Sequence, residues 1–253
     1  MKNLIFGIIS IQICTSCSVV GHGFDRDAIQ SELALQMPSL SDEDIRKASM
    51  AKSDLKAPFS VAVFYRESRD RDLTNSKSSQ WTSFDRKKIS ETLQKLKEKS
   101  LVSEYQELSS LMMPGRDLRS LLFAGAHAHC DSVLELSGIG AVDSYENLWA
   151  VTYLPLFTMF FVRGTNVDAL YKIKANFWDI KNQYLLFATD FEYIQKEVRP
   201  GWARNEQNVL EKAKTKAFEL LIPELMRRFS KLHNQSFDMR TPAQATAKTS
   251  NDK

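Results

Sequence analysis

The nine residues Leu170–Trp178 (LYKIKANFW) constrain the fold more than any other stretch of the chain. Tyr171, Ile173, Ala175 and Phe177 alternate with Lys172, Lys174 and Asn176. A period of two marks a strand with one face buried and one exposed. Asp179–Gln183 supplies a turn, and Tyr184–Thr189 is strand-like again, so the chain returns as an antiparallel hairpin partner. The apolar face of such a hairpin needs a cover, and amphipathic helices elsewhere in the chain can provide it.

Upstream, Phe59–Tyr65 (FSVAVFY) reads as a buried strand. The charged, Ser-rich run 66–80 reads as an exposed loop. Thr82 and Asp85 form a capping box, and the helix after it places Ile89, Leu93 and Leu96 on one face. Residues 101–112 hold a weak strand pattern, and Pro114-Gly115 breaks the chain. Arg116–Ala128 is helical, with Leu118, Leu121, Leu122 and Gly125 aligned, and Ser132–Leu136 is a short strand. Leu148–Val162 is the most apolar stretch, interrupted by Pro155. Asn205–Leu232 is a long helix whose common face holds Val209, Ala213, Ala217, Leu220 and Leu221, with Pro223 expected to kink it.

This order predicts an α/β (α+β) fold: one domain over 58–233, a mixed β-sheet packed by two or three amphipathic helices. Residues 17–57 read as a tether with short helices near Asp27–Gln36 and Ser41–Lys52, and 234–253 as a disordered tail. A length of 253 residues suits one such domain, and 43% hydrophobic with 26% charged residues excludes a disordered chain. A net charge of +3 gives no reason to expect a nucleic-acid partner.

The chain opens MKNLIFGIISIQICTSC, with Lys2 ahead of a short apolar run from Leu4 to Ile13. That run is too short to cross a bilayer and reads as a secretory signal. It resembles a bacterial lipoprotein signal. Ser16 stands before Cys17, which would be acylated and become the mature N-terminus once residues 1–16 are removed; Cys14 occupies the position where that pattern prefers Leu. An ordinary secretory signal, cut at a nearby small residue, is the alternative. Ser18 is not the Asp that favours inner-membrane retention in some lipoproteins, so the resemblance points to the periplasmic face of the outer membrane. Cys130 is then left alone and reads as a small buried apolar residue.

SVAVFY, LRSLLFAGAHAHCDSVLELSG and KIKANFWDIKNQYLLFAT together resemble the envelope lipoproteins related to the curli secretion lipoprotein CsgG and the amino-terminal domain of TolB. The likeness is greatest to the lipoproteins found beside rhombosortase proteases and covers about residues 59–232. His129-Cys130-Asp131 stands where such families often have Gly-Ala-Asp, and the turn Asp179–Gln183 lacks their glycine. The resemblance implies an accessory role in envelope assembly or secretion and supplies no catalytic residue.

Three clusters carry candidate chemistry. His127, His129 and Cys130 are metal-ligating types at close spacing, but at a helix-to-strand junction their side chains need not converge, and a structural junction is the favoured reading. Gly138-Ile139-Gly140 lacks the third glycine of a dinucleotide loop and reads as a turn. Arg66, Glu67, Arg69, Asp70, Arg71 and Asp72 read as a solvated loop rather than an acid–base site. Leu148–Val162 is core or a protein-contact surface, with a membrane-inserted segment as the sharper alternative. No catalytic residue, cofactor or metal is expected. The expected partners are the membrane, through acyl chains on Cys17, and an envelope protein. A subunit of an oligomeric secretion assembly is the second reading, and a metal-binding or enzymatic protein the third.

Overall fold

The computed structural model describes residues 23–33, 55–67, 81–146, 165–200 and 205–238, with isolated positions between 42 and 53. The signal with Cys17, the loop 68–80, Leu148–Val162 and residues 239–253 lie outside them. The elements follow the predicted order: α1 (Arg26–Leu33), β1 (Phe59–Arg66), α2 (Ser83–Glu98), β2 (Val102–Glu107), α3 (Leu118–His127), β3 (Ser132–Glu146), β4 (Thr165–Asp179), β5 (Tyr184–Arg199) and α4 (Glu206–Asp238). One five-stranded sheet has the order β2-β1-β3-β4-β5. β1 runs parallel to both β2 and β3, while β3, β4 and β5 form an antiparallel meander. The fold is α+β with a mixed sheet.

Local chemistry sets the helix starts. Thr82 Oγ1 accepts from the Asp85 amide at 3.3 Å, and the Asp85 carboxylate accepts from the Thr82 amide at 2.8 Å, so the capping box opening α2 is complete. The Asp117 carboxylate accepts from the Ser120 amide at 2.8 Å and opens α3. After α3 the chain turns at His129, whose φ of 55° lies in the left-handed region, and enters β3.

The two faces of the sheet are covered differently. Val61, Val63, Leu134, Leu136, Tyr171, Ile173 and Phe177 point to one face, where Ile89, Leu93 and Leu96 of α2 and Val209, Ala213, Ala217, Leu221 and Phe229 of α4 pack on them. Phe177 gathers Phe59, Phe187 and Phe229 within 5.7 Å between ring centroids. On the opposite face Leu121, Leu122 and Ala124 of α3 cover Ala62, Phe64, Val133 and Trp178. Farther along that face, Ile29 and Leu33 of α1 cover Ile139, Ala141 and Leu170. The predicted alternation holds at 171–174, where the lysines are half-buried, and ends at Asn176 and Trp178, where the second face is covered too.

Several expectations are corrected. Gly138-Ile139-Gly140 is not a turn, because β3 runs unbroken for 15 residues to Glu146. The glycines are there for close packing: a Cβ at Gly138 would lie 2.3 Å from Tyr171 Oη, and one at Gly140 2.6 Å from Leu210 Cδ1. β4 and β5 also outrun their predicted ends, at 15 and 16 residues. Leu220 is 45% exposed, so it is not on the buried face of α4. Phe218 takes that role. α4 carries Pro223 inside it and continues to Asp238, into the stretch predicted as a tail. Part of the predicted tether is folded as well, since α1 docks on the sheet.

Candidate ligand cleft

The predicted cluster His127, His129, Cys130 does not form a ligand set. His127 ends α3, exposed, with its ring 4.4 Å from that of Phe123. His129 is exposed in the turn that follows. Cys130 is half-buried; its Sγ donates to the Ala128 carbonyl at 3.6 Å and accepts from Gln106 Nε2 at 3.3 Å. Burial pushes its thiol up from the ordinary value, so it is protonated at neutral pH. Among the described residues no group of three or more His, Cys, Asp or Glu could hold a metal ion. Asp131 acts structurally: its carboxylate accepts from the Ser60 amide at 2.8 Å and from the Ser60 hydroxyl at 2.7 Å, joining the starts of β1 and β3.

The feature that the topology creates is a cleft of about 760 Å³ at the carboxyl ends of β1 and β2, with Phe64, Arg66, Arg86, Glu107, Arg116 and Ser31 of α1 in its lining. The connection from β1 to β2 carries α2 over one face, and that from β2 to β3 carries α3 over the other. Diverging connections leave a crevice outside the carboxyl ends of parallel strands, where open sheets hold ligands.

The lining is preorganised. Arg66 Nε donates to Glu135 Oε1 at 2.5 Å, and Glu135 is only 1% exposed. Asn176 Nδ2 donates to the other carboxylate oxygen at 3.0 Å, and Arg66 Nη1 donates to the Arg116 carbonyl at 3.2 Å. Arg66 Nη2 is buried and has no hydrogen-bond partner among the described residues. Trp81 Nε1 donates to the Arg66 carbonyl at 2.9 Å, closing the end of β1. Arg86 pairs with Glu107 and lies 4.7 Å over the Tyr65 ring. Burial pushes the Tyr65 phenol up to about 12, against the opposing pull of Arg86. Guanidinium groups held this way suit carboxylate or phosphate oxygens.

Arg66 is therefore not part of a solvated loop, as the sequence reading had it; it is the last residue of β1 and half of a buried ion pair. Its sequence trace is the partner. Glu135 stands inside the apolar strand VLELSG, and a carboxylate at such a position calls for a cation.

No family model matches the chain, and no curated protein matches it. Solved structures do. A neuraminyllactose-binding hemagglutinin homologue from Helicobacter pylori matches at 10% identity and a TM-score of 0.38, over 75% of this chain and 93% of that one. A hypothetical protein from Chlamydia trachomatis matches at 11% and 0.35, over 68% and 98%. A lipoprotein from Neisseria meningitidis matches at 11% and 0.31, over 65% and 99%. At these identities and TM-scores the likenesses establish neither a shared fold nor a shared function.

Proposed function

We propose that this protein is a bacterial envelope lipoprotein, acylated at Cys17, that acts by binding rather than by catalysis in envelope assembly or secretion. The observation that carries the reading is the leader MKNLIFGIISIQICTSC, with α1 starting at Arg26, soon after its last cysteine. An apolar run followed by a cysteine, then a domain, is the layout of an anchored protein. Ser18 supports the periplasmic face of the outer membrane over the inner one. The cleft beside Arg66, lined by arginines already engaged with carboxylates, is the natural place for a small ligand or a partner's side chain.

Intact mass of the native protein extracted in detergent tests this. The expected mass lacks residues 1–16 and carries added acyl chains, and a Cys17→Ala variant loses both changes. A processed but unacylated mass refutes the lipoprotein reading and leaves an ordinary secretory signal.

The second reading, a subunit of an oligomeric assembly, is favoured by one pairing. Glu146 and Thr165 are ladder partners, so the strand ends on either side of the apolar stretch Leu148–Val162 lie together at one end of the sheet. Light scattering on the same sample separates the two readings: a monomer supports a tethered adaptor, a ring-sized oligomer a secretion subunit.

A further inference from the structure

The way α1 lies on the sheet determines where the chain emerges toward its anchor. Arg26, the first residue of α1, pairs with Glu192 of β5 at 2.7 Å. Four residues on, Gln30 accepts from Lys172 of β4 at 2.9 Å. Ser31 lines the same cleft as Arg66, the last residue of β1. The helix thus crosses the strands, from β5 toward β1, and its N-terminus sits over the outer strand β5. Phe24 packs there against the same cluster as Ile194 of β5.

Only seven residue steps separate Cys17 from Phe24. Seven residues span at most about 25 Å when fully extended. The four spacings from β5 to β2 come to about 19 Å at roughly 4.8 Å per strand. Were the β2 edge to face the bilayer, the chain would spend about three-quarters of its reach crossing the sheet. With the β5 edge facing the bilayer it crosses nothing.

We propose that α1 is a strut that holds the β5 edge toward the lipid surface and the cleft at β1 and β2 away from it, facing the periplasm. This rests on acylation of Cys17. Docking by α1 replaces the long leash expected over residues 17–57 with a tether of a few residues, so the domain has an orientation relative to the membrane.

The test uses the acylated full chain, in a Cys130→Ser background, in vesicles of phosphatidylethanolamine and phosphatidylglycerol that carry a doxyl-lipid quencher. One fluorophore is placed at Val198→Cys on β5 and another at Ser103→Cys on β2, both exposed positions. Quenching at 198 is expected to exceed that at 103 several-fold. In an Ile29→Asp/Leu33→Asp variant, which releases α1, the ratio falls to near one while the acylated mass and vesicle binding persist. An equal or reversed ratio on protein with an intact acylated mass overturns the orientation and spares the anchor. An unacylated mass overturns both.

Discussion

Lys214 and Asp85 offer a sharp test of how the helical layer is locked to itself. The two residues are 129 positions apart, one on α4 and one in the first turn of α2. Lys214 is 2% exposed and Asp85 5%, and Nζ stands 2.5 Å from Oδ2. The same Oδ2 accepts from the Thr82 amide at 2.8 Å and from the Thr82 hydroxyl at 2.7 Å. The two partners are therefore not equivalent. Lys214→Met leaves a carboxylate that keeps two hydrogen bonds at a helix N-terminus, where negative charge is favoured. Asp85→Ala leaves a buried ammonium without that carboxylate and also removes the capping box. Breaking a buried pair costs about 3–5 kcal/mol and losing a cap about 1 kcal/mol. We expect a loss of about 3 kcal/mol for Lys214→Met and about 4–6 kcal/mol for Asp85→Ala. The double variant should be more stable than Asp85→Ala alone, because no buried charge then lacks its counter-charge. Urea unfolding followed by far-UV circular dichroism gives these values, with an unchanged m-value confirming that the same transition is compared. Single losses that simply add in the double variant, or Lys214→Met costing as much as Asp85→Ala, would refute the reasoning.

Three further outcomes follow from other parts of the fold. Gly138→Ala should cost about 2–3 kcal/mol, because the fully buried Tyr171 ring stands in the way; Gly140→Ala should cost less, because only the end of the Leu210 side chain must move; chemical denaturation ranks the two. Tyr65 is held neutral in the folded state, with its pKa raised above the unfolded value, so its contribution is fully present below pH 10 and is lost as pH rises from about 10 to about 12; it amounts to about 3 kcal/mol, and Tyr65→Phe should flatten that alkaline limb of the stability profile. Cys130 should alkylate more slowly at neutral pH than a free thiol standard, with its rate rising at higher pH than the standard's, because burial favours the protonated form; equal rates would contradict its half-buried placement.

The parts of the fold that were legible in the sequence are those written in local patterns. The strand written in LYKIKANFW, the β-branched run at β1 and the Thr82–Asp85 box each act within a few residues, and each element is found where expected, although the alternation itself stops after Lys174. What was misread depends on partners far away in sequence. Gly138 and Gly140 have the local signature of a turn; only Tyr171 and Leu210, brought from β4 and α4, make them strand residues. Arg66 stands at the head of a charged run and looks solvated until Glu135 arrives 69 positions later. α1 has a narrow apolar face of Ile29 and Leu33, too weak to announce a helix that packs, yet enough when Ile139, Ala141 and Leu170 wait for it. The cleft was not legible at all, since it arises from two connections passing over opposite faces of one sheet, and no segment encodes that.

The aromatic contact between Phe59 and Phe229, 6.1 Å between ring centroids, joins the first strand of the sheet to the last helix of the chain. Until α4 has left the ribosome, the face that holds Tyr171, Ile173 and Phe177 has half its cover missing. The core on that face is therefore complete only once α4 is in place. Under the proposed export, that order would suit passage through a translocation channel, with the last helix completing the fold on the far side.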